Sequence, residues 1–439
     1  MPEQRPRWMQ STTLEPSTKW TLAIFGIAYL TTVLYFHHVA WRDPTSIFFD
    51  RNTAYDTKYT DVRFEQSEAF IFDATRSRSA FANSSRSRVT TPDICIGIPS
   101  VARAGARYLP TAVGSLLAGL TEDERARTHL KVFIANIDPT VHPAYNETWL
   151  HDLADELLLY DLPDEELDWL DHLEGRQKGI FDYRYLLSAC QDTSAPYVAL
   201  IEDDVLAMDG WFQRTMTGLR EVETKSAGEG KDWLYLRLFY TEEFLGWNGE
   251  DALSRSLTSM ALVLAIGVVF ISIRTCLPSK QRKHMPNFLL IVVTCLFLPL
   301  SIVLFFKAGR LTLFPQPPSG VAPMNGYGCC SQGLVFNPDH LPALLSWLGE
   351  APSGLFFDMQ VEKYAEENAD LLNRWAIHPS ALQHLGTKSS SNETLKSERA
   401  GLVWSFEFED WNAEQLREER ERGKEELIRI RDPARTKDV

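Results

Sequence analysis

The sequence predicts an α/β fold: a mostly parallel sheet covered by helices, split by a pair of apolar helices and preceded by a third. Three observations carry this. Short apolar runs at residues 94–98, 131–134 and 197–201 alternate with stretches of helical spacing, which is the pattern of βαβ units. Two uncharged stretches of 18 and 20 residues, 256–273 and 287–306, interrupt that series. A third, 20–41, has 22 residues and lies near the start. Each is long enough to cross roughly 30 Å of hydrocarbon as a helix.

Composition narrows the class further. The 439 residues are 44% hydrophobic and 23% charged, with a net charge of -15. That is too apolar for a disordered chain, while a mean hydropathy of -0.20 is too polar for one mostly embedded in a membrane. A pI near 5.2 lacks the basic footprint that polyphosphate binding requires, so nucleic acid is not expected as a partner.

In chain order, residues 1–19 are a short tail and 20–41 the first transmembrane helix. A cleaved signal peptide competes for 20–41, but it is long for such a core, and His38-Val39-Ala40 lacks a small first residue. Residues 42–91 read as a stem whose Ser/Arg-rich end, from Thr75 to Arg88, is a flexible tether, with a basic docking patch as the alternative. The first part of the α/β domain, 92–255, opens with strand 94–98, closed by Pro99. Leu109, Ala112, Val113, Leu116, Leu117 and Leu120 then recur at helical spacing, followed by strand 131–134. An acidic helical region spans 149–173, a helix 178–190, a buried strand 197–201 and an alternating strand 233–240.

The apolar pair, 256–273 and 287–306, forms a membrane hairpin around the loop 274–286, two buried core helices being the competing reading. The second part of the domain, 307–395, holds a Pro/Gly-rich loop at 314–328, a strand at 333–336 and a helix at 339–348. Neither part has enough strands alone, so one domain divided by the hairpin is expected. The charged C-terminal region, 396–439, reads as a solvated helix over 410–432.

Loop charge sets the expected orientation. Arg274, Lys280, Arg282 and Lys283 crowd the hairpin loop without an acid, which places it in the cytosol. With three crossings, the N-terminus is then cytosolic, and both large polar parts are lumenal. The glycosylation sequons at Asn83, Asn146 and Asn392 fall in those parts. So do Cys95, Cys190, Cys329 and Cys330, which allow three disulfide pairings; the adjacent Cys329 and Cys330 are expected to bond to separate partners. A zinc site is not expected without a CxxC or a paired His.

The residues that carry chemistry are mostly acidic. Glu202-Asp203-Asp204 directly follows the strand 197–201, and ligands of parallel sheets bind beyond the carboxyl ends of strands. Three adjacent carboxylates repel one another, and a hard divalent ion such as Mn or Mg is a natural counter-charge, able to bridge a diphosphate. The plain alternative is an acidic strand end solvated in a turn. Asp358 and Glu362, four apart on a predicted helix, share a face, and either can take a proton from an attacking hydroxyl. A solvent-facing stripe continued by Glu366 is the alternative. His384 becomes a ligand only if it meets the acidic triplet.

Several of these pieces together carry a resemblance. Ile96-Gly97-Ile98-Pro99-Ser100-Val101-Ala102-Arg103, Arg176-Gln177-Lys178 with Asp182-Tyr183, Glu202-Asp203-Asp204, and Pro379 to Gly386 are similar in order and spacing to N-acetylglucosaminyltransferase IV-like enzymes over residues 93–390. A first span with a hairpin inside the catalytic domain resembles more closely the Golgi glycosylphosphatidylinositol (GPI) N-acetylgalactosamine transferase family. The resemblance implies a GT-A fold, Rossmann-like, and a Golgi membrane enzyme that moves a sugar from a UDP-sugar donor, UDP-GalNAc favoured, to the mannose core of GPI. It implies Mn or Mg dependence, with Asp204, His384 and Glu202 as metal ligands. Pro99, Arg103, Lys178, Asp182, Tyr183, Glu202 and Asp203 would bind the donor. Asp358 or Glu362 would be the base of an inverting transfer. Two other activities compete: a non-catalytic lumenal glycolipid-binding or escort protein, and a transferase acting on N-glycans. A transporter does not fit spans free of charged residues.

Overall fold

The computed structural model describes residues 16–76, 91–247, 249, 251–282, 285–317, 319–324, 330–350, 354–386 and 403–431. The chain forms two compact units, and it crosses between them three times. One comprises residues up to Ala54 with Leu245–Pro315; the other comprises Tyr55–Phe244 with residues from Gln316 onward.

The first unit contains three helices long and apolar enough to cross a membrane: Thr18–Val39, Ala252–Cys276 and Asn287–Lys307. Their large side chains, such as Leu34, Leu264, Val268 and Val303, are exposed rather than packed in a core, as lipid-facing residues must be. Two buried core helices are therefore not what 256–306 makes. The helical backbone of the second helix continues past the uncharged core through Ala252–Arg255 and Arg274–Cys276.

The second unit is built on an eight-stranded sheet ordered β3-β2-β1-β4-β8-β6-β9-β7. Its strands are β1 (Ile94–Ser100), β2 (Thr128–Ile134), β3 (Glu156–Leu158), β4 (Tyr197–Ile201), β6 (Asp232–Arg237), β7 (Gly320–Pro323), β8 (Gly333–Phe336) and β9 (Leu372–His378). β5 (Val205–Ala207) and β10 (Leu382–His384) form a separate antiparallel pair. Strands β3, β2, β1 and β4 run parallel, as do β6 and β9. β8 is antiparallel to both β4 and β6, and β7 to β9. Strands from either side of the hairpin alternate in the sheet, so neither part can close it alone.

Alternation of side chains feeds two core layers. Ile94, Ile96, Ile98, Leu130, Val132, Ala199 and Ile201 face one layer; Cys95, Phe133, Val198 and Leu200 face the other. The helices that cover them include α1 (Tyr59–Arg76), α2 (Leu109–Leu117), α3 (Gly175–Gln191), α4 (Trp211–Gly228), α5 (Leu341–Glu350), α6 (Phe357–Glu367) and α7 (Ala413–Arg431). Where α3 crosses β1, a Cβ on Gly97 would meet Leu186 Cγ at 2.8 Å, so only glycine permits the approach.

Helix α1 corrects the reading of 42–91 as a stem. Tyr59, Arg63, Ser67, Ile71 and Ala74 form a buried stripe at helical spacing. Two of the five are polar, which hid the stripe. The fully enclosed Arg63 donates to the carbonyls of Ala207, Ser115 and Ala118 at 2.7, 2.6 and 2.8 Å, so its charge is compensated by backbone dipoles. The Ser/Arg-rich end lies outside the described residues beyond Arg76. Other differences are local: β3 divides the acidic region 149–173, β7 lies within the Pro/Gly-rich loop, and α7 is tied to the domain by Arg420 to Asp209 at 2.8 Å.

Cys95 and Cys190 form a disulfide between β1 and α3. Neither is left to bond Cys329 or Cys330, so the expectation of separate partners for the adjacent pair fails. Cys330 is itself disulfide-bonded, and Cys329 lies outside the described residues. Cys276 and Cys295 are free thiols in the first unit. Of the sequons, Asn146 is exposed, and Asn83 and Asn392 lie outside the described residues.

Candidate active site

From β1 the chain moves outward to β3, then returns to place β4 on the other side of β1. That reversal opens a crevice beyond the carboxyl ends of β1 and β4. The end of β1 delivers Pro99, Ser100 and, after a turn, Arg103; the end of β4 delivers Glu202, Asp203 and Asp204. A cleft of about 390 Å³ lies there. Seven expected donor residues line it together: Pro99, Arg103, Lys178, Asp182, Tyr183, Glu202 and Asp203. Its size is in the range of small-molecule sites.

The three acids have different surroundings. Asp203 accepts from Arg103 Nη1 at 2.6 Å and from the Ser100 hydroxyl. Burial still pushes its carboxyl up to about 6. Glu202 accepts from the Ser331 hydroxyl and, at 3.3 Å, from Tyr183 Oη. Burial first, and the charge of Asp204 second, push Glu202 up to about 7. Burial also works against charge on Asp204, but His384 outweighs it and holds that carboxyl below its ordinary value. On His384 burial opposes protonation and Asp204 outweighs it, so the imidazole is raised.

The small β5–β10 sheet brings His384 to Asp204. His384 sits opposite Val205, and the Leu385 amide donates to the Asp204 carbonyl at 2.7 Å. The ring Nε2 is 3.5 Å from Asp204 Oδ2. On its other side Nδ1 is 3.0 Å from the Val403 carbonyl, and a carbonyl only accepts, so Nδ1 carries the proton and Nε2 faces the acid. Asp204 Oδ1 is buried without a hydrogen-bond partner. A Cβ on Gly386 would strike both Asp204 Oδ2 and Nε2, at 2.4 and 2.5 Å, so the residue closing this corner must be glycine. An unpaired carboxylate oxygen, an imidazole held by its far nitrogen and a glycine-walled corner fit a divalent ion. Glu202 lies beside this pair, and its charge acts on His384; among the described residues no group of three or more His, Cys, Asp or Glu is already gathered as a metal site.

Lys178 and Asp182 form a knot with Tyr160. Lys178 Nζ donates to Asp182 Oδ2 at 2.9 Å, the Ala135 carbonyl at 2.7 Å and Tyr160 Oη at 2.6 Å, and Tyr160 donates to Asp182. Burial raises the Asp182 carboxyl despite the ammonium beside it. The lysine is thus a brace of the cleft wall.

The two candidate bases separate. Asp358, in the first turn of α6, is partly exposed and accepts from the Cys330 amide at 2.9 Å. Glu362 is buried and saturated. Its Oε1 accepts from Tyr235 Oη at 2.5 Å and Arg237 Nη2 at 2.6 Å, and its Oε2 from Arg374 Nη1 at 2.9 Å. The acidic stripe is therefore not solvent-facing at Glu362.

Over residues 94–383 the chain matches the family described as GPI-N-acetylgalactosamine transferase PGAP4. The chain belongs to that family. It is accordingly a glycosyltransferase, with the GPI anchor as acceptor. No curated protein matches the chain.

The site also holds a residue that has no signal in the sequence. His142 Nε2 is 3.0 Å from Ser100 Oγ, while its Nδ1 accepts from the Ala144 amide at 3.2 Å. The His142 Nε2–H therefore donates to Ser100 Oγ, and the Ser100 hydroxyl donates to Asp203. Burial, then Arg103 and Arg107, push His142 down to about 4, so it stays neutral and can hold this direction. Ser100 belongs to the Ile96–Arg103 segment that carries the resemblance; His142 is that residue, since a lone histidine between two short helical turns carries no period.

Proposed function

We propose that the transferase moves N-acetylgalactosamine from UDP-GalNAc to a mannose of the GPI glycan with inversion, using Mn or Mg held by Asp204 and His384. The pairing of Asp204 with His384, next to a cleft lined by the expected donor residues, carries this reading. A divalent ion bound by those two groups would offset charge developing on the departing UDP.

The chain's own residues do the remainder. Pro99, Lys178 and Asp182 shape the nucleotide pocket, and Arg103 holds Asp203 in position. Asp358 accepts the proton of the mannose hydroxyl as its oxygen bonds to the anomeric carbon, while the bond from that carbon to the diphosphate oxygen breaks. Glu362, closed off by two guanidinium groups, is not assigned that task. The fold is read as GT-A, in a Golgi membrane, with the N-terminus cytosolic and the catalytic unit lumenal. Three chain crossings tether that unit to membrane helices, which keeps it near glycolipid acceptors and raises their effective concentration.

The test uses full-length protein in detergent with Mn, UDP-GalNAc and a GPI-anchored acceptor. Transfer that requires Mn and is lost in Asp204→Ala, with the melting temperature kept, is expected. Undiminished turnover in that variant overturns the assignment.

A further inference from the structure

The segment after His384 is unusual for a connection. Residues 403–406 are irregular and Glu407–Asp410 form one 3-10 turn, yet Ser405, Phe406, Phe408 and Glu409 are buried. Three enclosed side chains hold it. Gln383 Oε1 accepts from the Ser405 amide at 3.0 Å and the His384 amide at 3.1 Å, and its Nε2 donates to the Ser405 carbonyl at 2.9 Å. Glu242 accepts from Ser405 Oγ at 3.1 Å and from the Phe406 and Glu407 amides, both at 2.9 Å. Glu409 accepts from the Lys58 and Thr60 amides at 2.7 and 3.2 Å.

Burying acids costs free energy, and a mere linker to α7 would run on the surface. What this anchoring fixes is the Val403 carbonyl. The pairing of β10 with β5 places the backbone of His384, but rotation of its ring is governed by the bond from Nδ1 to Val403. The family match ends at residue 383, so this segment lies beyond it.

We propose that residues 403–410 are a strap that orients His384 for metal binding, with Glu242 and Gln383 as its positioning residues. The inference rests on the reading of Asp204 and His384 as metal ligands. Neither Glu242 nor the strap touches the ion's place. Glu242 acts through the Val403 carbonyl, and Gln383 through it and through the His384 amide, as for the outer partners of metal-bound histidines, whose loss weakens metal affinity by about 10–100-fold.

The experiment is an electron paramagnetic resonance titration of Mn into the detergent-solubilised full chain, with thermal unfolding in parallel. Glu242→Leu and Gln383→Leu are expected to weaken Mn binding by about 10–100-fold. Glu242→Gln, which retains an oxygen acceptor, stays near wild type. Leu344→Ala, in the core layer served by α5, lowers the melting temperature and leaves Mn affinity unchanged. If Glu242→Leu does not fold, Gln383→Leu decides. Wild-type affinity in folded Gln383→Leu, or an equal loss in Leu344→Ala, overturns the proposal. A wild-type chain that binds no Mn removes the metal reading itself, and the strap's role with it, and is recognisable because all variants then behave alike.

Discussion

Two buried acidic regions of the catalytic unit have opposite charge balance. At the ends of β1 and β4, Glu202, Asp203 and Asp204 share Arg103 and His384. At the foot of α6, the single carboxylate of Glu362 has Arg237, Arg374 and the Tyr235 hydroxyl. The first region is short of positive charge and the second is in excess. Burial alone therefore does not mark a functional acid. A deficit of compensation, kept in an otherwise well-packed sheet, marks a place where a cation or a ligand completes the structure.

That contrast is broken most directly at the bases. Asp358→Asn is expected to lower transfer by roughly 10²–10⁴-fold, the usual worth of a general base, while the melting temperature stays put. A full loss in Glu362→Gln with Asp358→Asn active would reverse the assignment. Glu362→Ala is expected instead to destabilise by about 3–5 kcal/mol, because it strands two guanidinium groups. Chemical unfolding reads this; a loss below about 1 kcal/mol would mean that the buried network is not strongly stabilising. Asp204→Ala, by contrast, is expected to cost less in divalent-free buffer, since the lost pairing with His384 is offset in part by relieved repulsion with Glu202; an equal loss by chemical unfolding would erase the contrast.

The smallest effect is in pH. Between about 4.5 and about 7 the folded chain holds a proton on Glu202 that the unfolded chain has released. The contribution of Glu202 to stability without divalent ions is thus fully present below that window and falls as pH rises through it. Glu202→Gln should flatten the slope of melting temperature against pH. An unchanged slope in that variant would remove Glu202 as its source.

Much of the frame was legible in the residues. β4 and β8 came out at their observed bounds because both are short, wholly apolar runs, and the three spans because uncharged stretches of that length are rare. β3, β5, β7, β9 and β10 were not legible. β5 and β10 are three residues long, and β9 (Leu-Asn-Arg-Trp-Ala-Ile-His) mixes polar and apolar residues without a period. α1 escaped because its inward face includes an arginine and a serine satisfied by distant carbonyls.

The sequence by itself determined which segments are membrane helices and which strand ends carry acids, since hydrophobicity and local period are properties of neighbouring residues. Its likeness to a family led to the cleft residues. Only the tertiary structure decided which acid is free and which is neutralised. Glu362 and Asp358 stand four apart on one helix and look alike in sequence, but their partners come from β6, β9 and the segment before β8. Charge compensation depends on distances across the fold, and those distances are set when strands from both sides of the hairpin enter one sheet.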